Sequence, residues 1–304
     1  MEAAPHGIGV FLPRLKSPQR KIGGRIFDFS RQIAVMAIVN RTPDSFHDQG
    51  RTFSLAAAID AVDQAASAGA DWIDIGGVPF APGSEVTVQQ ELDRVIPVVE
   101  EAARRHPQVV ISVDTYRPEV ARRCIAAGAG VINDTSGLRD FAMAEVVAGS
   151  AATLTIVHSL AAPRTAFPRP SYDDVTVEVA DFLRQRADLA VDIGVPPERI
   201  IIDPGHDLNK NTYHTLELTR RLSEITAIGY PTLVAVSNKD FIGETLDLAQ
   251  DRRLEGTLAA AVFCIVQGAR IVRMHDVRAA VSAVRLTEAI LGFRPPATAR
   301  HNLV

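Results

Sequence analysis

The sequence has 304 residues, of which 47% are hydrophobic, so it can bury the core of one large domain or two small ones, and disorder over most of the chain is excluded. Its 36 acidic and 32 basic residues are interspersed and give a formal net charge of −4. No basic field is therefore present to attract nucleic acid or an anionic membrane, and we expect neither as a partner.

Apolar runs rich in Val and Ile recur along the chain, and segments with helical spacing separate them, which is the pattern of βα units and a parallel sheet. Residues 1–30 precede this pattern and are expected to form an N-terminal arm. The predicted strands cover residues 33–40, 70–77, 109–115, 130–137, 152–159, 200–205, 231–239 and 269–277. The predicted helices between them include residues 54–69, 86–105, 118–128, 177–194 and 253–268.

Eight βα units predict an α/β fold of the TIM (β/α)8 barrel type, and no G-x-G-x-x-G fingerprint follows the first strand to favour an open doubly wound sheet. No change in composition marks a linker, so residues 31–295 are expected to form a single barrel domain and residues 296–304 a C-terminal tail. The segment 161–174 is rich in Pro and Arg, and it forms either a loop over the barrel mouth or a mere connection.

The targeting signals and cysteines point to a cytoplasmic protein. The N-terminus has an apolar run too short for a signal peptide, and no later apolar run is long enough to span a membrane. Cys124 and Cys264 fall within helical patterns, so we expect reduced core residues rather than a disulfide or a metal site.

Polar and charged side chains stand at the ends of the predicted strands, where the active site of a TIM barrel forms. They are Asn40, Asp114, Asn133, Asp134, His158, Asp203, Ser237, Lys239, Arg273 and His275. Taken singly, such residues are more often helix caps, turn residues or satisfied structural groups. Their convergence on one mouth favours a ligand site.

Such a site suits a planar heterocycle. Carboxylates and amides can pair with the amino and ring N–H edge of a pterin or guanine-like ring, Lys can donate to its carbonyl, and Arg can stack over its face. Arg273 and His275 lie two residues apart on one strand, so they point the same way and form a cationic pair suited to phosphate. Hard oxygen donors beside a phosphate favour Mg²⁺ as a cofactor.

The sequence resembles the dihydropteroate synthase family over residues 34–292. The motifs NRTPDSF, SVDTYRPEVA, INDTSG, DPG with a following Lys210, SNKDFIG and RMHDV stand in the order and spacing of that family. The resemblance implies a TIM barrel that joins 6-hydroxymethyl-7,8-dihydropterin pyrophosphate to p-aminobenzoate and releases pyrophosphate. It also implies a homodimer.

The resemblance further implies a role for each matching residue. The residues expected to bind the pterin substrate are Asp114, Asn133, Asp203, Ser237, Lys239 and Arg273. The predicted catalytic groups are Asn40, Arg273 and His275, since stabilisation of the leaving pyrophosphate dominates the barrier, and Asn40 is the predicted ligand of Mg²⁺. Residues 40–51 look like the loop that closes over pyrophosphate and metal.

Three departures fall on the p-aminobenzoate side of the expected site. Phe80 and Ala81 stand where the family has a Thr-Arg pair, and Asn238 stands where it has Arg. Residues 206–209, with Leu208 in place of a Phe, replace a Gly-rich run and should stiffen or reshape that loop. Two cations and an aromatic wall are therefore missing, and Arg41 and Arg51 in the first loop are candidates to replace the charge.

This pattern is similar to the divergent second paralogue of dihydropteroate synthase that actinobacteria carry beside a standard enzyme, and which is thought not to support folate synthesis. The leading interpretation is a pterin-binding protein with weak or absent synthase activity that binds p-aminobenzoate and its sulfonamide and sulfone analogues weakly. One alternative is an active synthase with rebuilt loops. The other is a related barrel that acts on another pterin-like substrate.

Overall fold

An antiparallel hairpin precedes the main sheet and covers one end of it. Its strands are β1 (Gln19–Ile22) and β2 (Arg25–Asp28). Phe27 stacks on Phe29 with ring centroids 5.8 Å apart, and it meets Trp72 edge-on at 5.6 Å. These rings belong to a buried cluster with the first residues of the main strands. The hairpin therefore closes the amino end of the sheet, while the boundary of an arm at residue 30 stays a prediction.

The main sheet is an eight-stranded parallel barrel in this computed structural model, which describes residues 10–41 and 54–302. Its strands are β3 (Ala34–Asn40), β4 (Trp72–Gly76), β5 (Val110–Asp114), β6 (Val131–Asp134), β7 (Thr153–Val157), β8 (Ile200–Asp203), β9 (Leu233–Val234) and β10 (Ile271–Met274). The order is β8-β7-β6-β5-β4-β3-β10-β9, and a bridge between Ile202 and Thr232 closes the circle. The predicted TIM barrel is confirmed.

Helices surround the barrel and follow the strands in sequence. They are α1 (Leu55–Ser67), α2 (Val88–Arg105), α3 (Pro118–Ala126), α4 (Ala142–Ala148), α5 (Val175–Ile193), α6 (Thr212–Arg220), α7 (Leu222–Thr226), α8 (Asp240–Leu246), α9 (Leu254–Val266) and α10 (Val277–Ile290). Side-chain caps define several starts: Thr87 and Gln90 form a capping box at α2, and Asp174 and Asp276 cap α5 and α10. The helices predicted from spacing are all present.

Strand alternation decides which residues face the site. In β3, Val35, Ala37 and Val39 belong to the outer core under the helices, whereas Ala34 and Met36 belong to the inner cluster. Because successive side chains point to opposite faces, the same alternation directs the last residue, Asn40, into the barrel.

One strand is much shorter than predicted. The apolar run 231–239 forms a strand only at Leu233–Val234, because the chain then turns into α8. Asn238 has a φ of 57°, in the left-handed region that ends an extended segment.

Three other expectations concern the two cysteines, membrane-spanning helices and the loop after β3. Cys124 and Cys264 are buried and free, and burial raises the pKa of each thiol to about 12. Within the described ranges, the structure has no helix long and apolar enough to cross a membrane. The predicted pyrophosphate loop covers residues 40–51, of which 42–51, including Arg51, lie outside the described residues.

Candidate active site

Four adjacent strands bring residues at or next to their ends into one row at the carboxyl end of the barrel. Asn40 is the register partner of Gly76, Gly76 of Asp114, and Asp114 of Asn133. The glycine leaves space between its neighbours: a Cβ there would lie 3.4 Å from Asn40 Oδ1. Three predicted site residues are therefore neighbours across the sheet.

An ion-pair network lies one layer below this row. Asp74 is fully buried in the middle of β4, and its Oδ2 accepts hydrogen bonds from Arg273 Nε at 2.7 Å and Asn133 Nδ2 at 3.1 Å. Its Oδ1 accepts from Ser112 Oγ at 2.6 Å. Arg273 Nη2 also lies 3.5 Å from Asp114 Oδ2. Asp74 therefore fixes the positions of both the guanidinium and the amide.

The pKa of the Asp114 carboxyl group lies near neutral pH. Burial, reinforced by the neighbouring Asp74 carboxylate, raises the pKa of Asp114 from 3.8 to about 7, against the opposing charge of Arg273. Thr135 Oγ1 donates to Asp114 Oδ1 at 3.2 Å. Asn133 Oδ1 is buried and has no hydrogen-bond partner in the part of the chain that the structure describes. The row thus contains acceptors that the described residues satisfy poorly.

Asp203 ends β8 beside a tight turn. Its Oδ1 accepts from the backbone N–H of Gly205 at 2.7 Å. Gly205 has a φ of 66°, and a Cβ would lie 2.1 Å from the carbonyl oxygen of His158, so only glycine fits. Burial raises the pKa of Asp203 to about 6, opposed by the Gly205 N–H and by the charges of Lys239 and Arg273.

A cavity of about 380 Å³ lies at the mouth, within the range of about 300–1,000 Å³ typical of small-molecule sites. The predicted residues that line it are Asn40, Asp114, Ser237, Lys239, Arg273 and His275. Lys239 immediately precedes α8. His275 Nδ1 lies 2.9 Å from Ser237 Oγ, which also accepts from the His275 backbone N–H. Arg273 and His275 face the same cavity, as their spacing predicts, but the Arg273 guanidinium pairs with carboxylates.

Two other strand-end candidates serve the scaffold. The ring of His158 packs edge-on against Phe182 of α5, with centroids 4.8 Å apart, and its Nδ1 lies 2.9 Å from Lys210 Nζ. Burial and the Lys210 charge hold the pKa of His158 well below its usual value, so it accepts this hydrogen bond as a neutral ring. Asp134 accepts from the backbone N–H groups of Ser136 and Leu138 and shapes a turn.

The altered loop after β4 is fastened by a residue from the opposite side of the mouth. Arg164, in the loop after β7, donates through its side chain to the carbonyl oxygens of Pro79, Ala81 and Ser84, and its backbone N–H donates to Phe80 O at 2.9 Å. The loop after β7 therefore crosses the ends of β6 and β5 to reach the loop after β4. Of the two interpretations of segment 161–174, this contact favours a covering loop.

The loop after β8 is held by side chains where the family has glycines. Asp207 and Asn209 adopt left-handed φ values of 62° and 50°. Asp207 accepts from Thr215 Oγ1 at 2.9 Å and from the Phe241 N–H at 3.3 Å. Asn209 Oδ1 accepts from Ser159 Oγ at 2.7 Å. These contacts tie the loop to α6, α8 and the end of β7, as expected for a stiffened loop.

Of the two candidates to replace the missing charge, Arg51 lies outside the described residues, and Arg41 is not among the residues that line the cavity. Arg41 is 8% exposed, and its Nη1 donates to the carbonyl oxygen of Arg94 at 2.9 Å. Asn238, which lines the cavity in place of an Arg, is held by Thr257 Oγ1, which lies 3.1 Å from its backbone nitrogen. Both contacts are directed at the scaffold.

The donor set for a metal is sparse in the described ranges 10–41 and 54–302, where no group of three or more His, Cys, Asp or Glu residues could hold a metal ion. The amide oxygen of Asn40 is a hard donor of the kind that Mg²⁺ accepts, and it stands at the cavity. A bound phosphate and water could supply further oxygen ligands.

Two residues that matter most here were absent from the sequence-based prediction. Asp74 lies inside an apolar run rather than at its end, and inspection of strand ends alone overlooks it. The signal was its spacing of two from Gly76, which places both residues on the barrel interior. Arg164 carried no comparable signal, because its partners are backbone carbonyl groups of a distant loop.

The fold and the site define a TIM-barrel protein of the class that binds a polar heterocycle at the barrel mouth. The chain belongs to the family of pterin binding enzymes, which residues 36–275 match. It is 47% identical over 267 residues to the protein named inactive dihydropteroate synthase 2 of Mycobacterium tuberculosis, covering 86% of this chain and 84% of that protein. It is 41% identical over 261 residues to the dihydropteroate synthase of Escherichia coli, covering 86% and 92%.

A solved structure agrees with these relationships. The Yersinia pestis dihydropteroate synthase in complex with a sulfonamide drug has a TM-score of 0.86 and 36% identity, covering 91% of this chain and all of that one. The resemblance to the dihydropteroate synthase family is thereby confirmed, as is its similarity to an inactive paralogue.

Proposed function

We propose that this protein binds a pterin at the barrel mouth and has weak or absent dihydropteroate synthase activity. The observation that carries the proposal is a pair of carboxyl groups at the ends of β5 and β8. Asp203 is 3% exposed and the Asp114 side chain is 20% exposed, and their pKa values are raised to about 6 and about 7. Buried carboxylates without enough donors are costly, and the amino and N–H groups of a pterin edge would supply those donors.

Other polar groups at the carboxyl end of the barrel complement the rest of such a ring. Asn133 Oδ1 is an unpartnered acceptor within the described chain, next to Asp114 across the sheet, and Lys239 lines the cavity as a donor. Ser237 and the guanidinium of Arg273 line the wall. These roles match what the family resemblance implies, and they are proposals for this chain.

Asn40 and His275 would receive the pyrophosphate of a family substrate, with Mg²⁺ held by the Asn40 amide oxygen and by phosphate oxygens. Bound Mg²⁺ would neutralise charge that develops on the leaving group. His275, oriented by Ser237, would donate a hydrogen bond to the same oxygens. Asn40, His275 and Arg273 are the proposed catalytic groups for whatever synthase activity remains.

The loop after β4 supports weak activity. Phe80 and Ala81 line the cavity where the family has a hydroxyl and a guanidinium. Losing one charge-assisted contact that forms in the transition state costs about 2–4 kcal/mol, or roughly 30- to 1,000-fold in rate. Arg164 does not restore this charge, because its guanidinium donates to carbonyl groups of the loop itself.

We expect purified protein to form dihydropteroate far more slowly than the Escherichia coli enzyme when both family substrates and Mg²⁺ are supplied. Steady-state product formation measures this, and turnover within about tenfold of that enzyme, a barrier difference of only about 1.4 kcal/mol, would contradict it. The triple variant Phe80→Thr, Ala81→Arg and Asn238→Arg should raise the rate. If the triple variant is no faster than the parent, the low activity has another cause, such as the changes at residues 206–209.

Binding of the pterin should survive where catalysis does not. Calorimetry is expected to show micromolar to millimolar affinity for 6-hydroxymethylpterin or its pyrophosphate, and weak binding of p-aminobenzoate and sulfonamide analogues. Asp203→Ala should eliminate the pterin signal, whereas Asp240→Ala, at an exposed rim carboxylate, should retain it. If no pterin binds and Asp203→Ala is as stable as the parent, the polar groups proposed to hold the pterin ring do not serve that function.

A cytoplasmic homodimer completes the proposal. The outer side of α10 exposes Leu286 at 64% and Ile290 at 75%, beside the largely apolar α9. An apolar helical face of this kind suits an isologous contact. Light scattering at micromolar concentration should give a dimer mass, and Leu286→Glu with Ile290→Glu should give a monomer. A monomeric parent would refute the contact.

A further inference from the structure

The cavity has an apolar side that none of the pterin contacts uses. Val78, Pro79, Phe80 and Ala81, consecutive residues after β4, form an apolar wall of the cavity, and Ile38 and Ala235 also line it. Ser237 and His275 are polar residues of the same lining. A ring bound at Asp114 would therefore carry a substituent into a cavity that is lined in part by apolar residues.

The charges around the cavity do not favour an anion. Asp114, Asp207 and Asp240 line it, against Lys239 and Arg273. Arg273 is already paired with Asp74 and Asp114 at 2.7 and 3.5 Å. Within the described ranges, the acidic lining residues thus outnumber the cationic ones. Among the described lining residues, the one guanidinium, that of Arg273, is already paired, so a carboxylate placed here would lose hydration without a full replacement from them.

The position of the wall is fixed by an internal contact. Arg164 Nη1 donates to Pro79 O at 3.2 Å and Nη2 donates to Ser84 O at 2.7 Å. Gly83 makes room for this side chain, since a Cβ there would lie 2.8 Å from Arg164 Nη2. The guanidinium nearest to the wall is therefore directed at the backbone, and it holds the segment 78–81 against the cavity.

We propose that the cavity selects a pterin with an uncharged, apolar or aromatic substituent, in place of the pyrophosphate ester and carboxylated amine of the family reaction. The inference rests on the proposed pterin site and names the ligand class of its second compartment. Apolar contact with Phe80 supplies the affinity, and the acidic surroundings supply discrimination against anions.

A matched pair of ligands isolates the charge. We would titrate the full-length protein by calorimetry with 6-phenylpterin and 6-(4-carboxyphenyl)pterin, and with 6-hydroxymethylpterin as the reference for the ring alone. The phenyl compound should bind at least tenfold more tightly than its carboxylated counterpart. Phe80→Ala should weaken the phenyl compound and leave 6-hydroxymethylpterin nearly unchanged.

A charge-restoring variant provides the reverse test. Ala81→Arg should reduce about tenfold the ratio of the affinities for 6-phenylpterin and 6-(4-carboxyphenyl)pterin. Ser84→Arg, in the same loop but outside the cavity lining, should leave this ratio unchanged. If the parent binds 6-hydroxymethylpterin but binds 6-(4-carboxyphenyl)pterin as tightly as 6-phenylpterin or more tightly, this inference alone is overturned. Failure of all three pterins to bind would overturn the pterin site and this inference with it.

Discussion

Replacing Asp74 by Ala should lower the free energy of unfolding by about 3–5 kcal/mol, the largest loss that we expect from one substitution in the site. Asp74 is fully buried and pairs with Arg273, whose side chain is 17% exposed. Removing the carboxylate leaves that guanidinium with Asp114 alone at 3.5 Å. Asn133 Nδ2 and Ser112 Oγ lose their acceptor at the same time.

Denaturant unfolding with an unchanged slope measures this loss. Ser112→Ala is the matched control, because it removes one hydroxyl hydrogen bond to the same carboxylate but leaves the ion pair, and it should cost about 1.5–3 kcal/mol. Asp74→Ala combined with Arg273→Met should recover much of the loss, since the guanidinium is removed together with its buried partner and Asp114, with its raised pKa, can take up a proton. If Asp74→Ala costs no more than Ser112→Ala, the ion pair does not stabilise the barrel.

The barrel could be predicted from the sequence because its signals are local. Each predicted strand is an apolar run of the length of a buried strand, and each predicted helix has periodic apolar positions ended by Gly or a polar residue. The exception, 231–239, shows the limit of that rule. Its apolar composition is typical of a strand, but the positive φ of Asn238 belongs to a turn, and composition does not reveal it.

The site was predictable only where the strand-end rule applies. Asn40, Asp114 and Asn133 meet across the sheet because parallel strands in register align their ends. Asp74 escapes the rule because it acts from the layer below. His158 satisfies the rule but faces α5, since side-chain direction depends on the exact residue at which the strand ends.

The contact of Arg164 with the loop after β4 depends on long-range geometry. Arg164 and Ala81 are separated by 83 residues, and the acceptors are carbonyl groups that every sequence contains. No residue pattern marks such a contact. The substitutions at Phe80 and Ala81 could be read from the sequence, but the position of their loop over the cavity could not.

His206, in the altered loop after β8, has a buried imidazole whose hydrogen-bonding groups are unsatisfied by the described residues. It is 1% exposed, and within the described part of the chain neither ring nitrogen has a hydrogen-bond partner. Its ring lies 6.4 Å from that of Phe241, between centroids. Burial, together with the nearby charges of Lys210 and Lys239, lowers the pKa of His206 from 6.5 to about 3.

This lowered pKa should make stability depend on pH in one direction. Below about pH 6.5 the unfolded chain binds a proton at His206 that the folded chain does not bind until about pH 3. Stability therefore falls as pH falls through this window, and at pH 5 the loss from this group is about 2 kcal/mol. His206→Leu should remove that loss and should be at least as stable as the parent at pH 7, since it also removes unsatisfied polar atoms.

Unfolding free energies at pH 7 and pH 5 for the parent and His206→Leu give the test as a difference, in which the other titrating groups cancel. The exposed His301 supplies the control, because His301→Leu should leave the pH dependence of the parent unchanged. The same fall in stability in the parent and in His206→Leu would show that the imidazole is solvated or partnered in solution. A fall confined to the parent would identify the buried, unpartnered imidazole of His206 as the group that lowers stability at acidic pH.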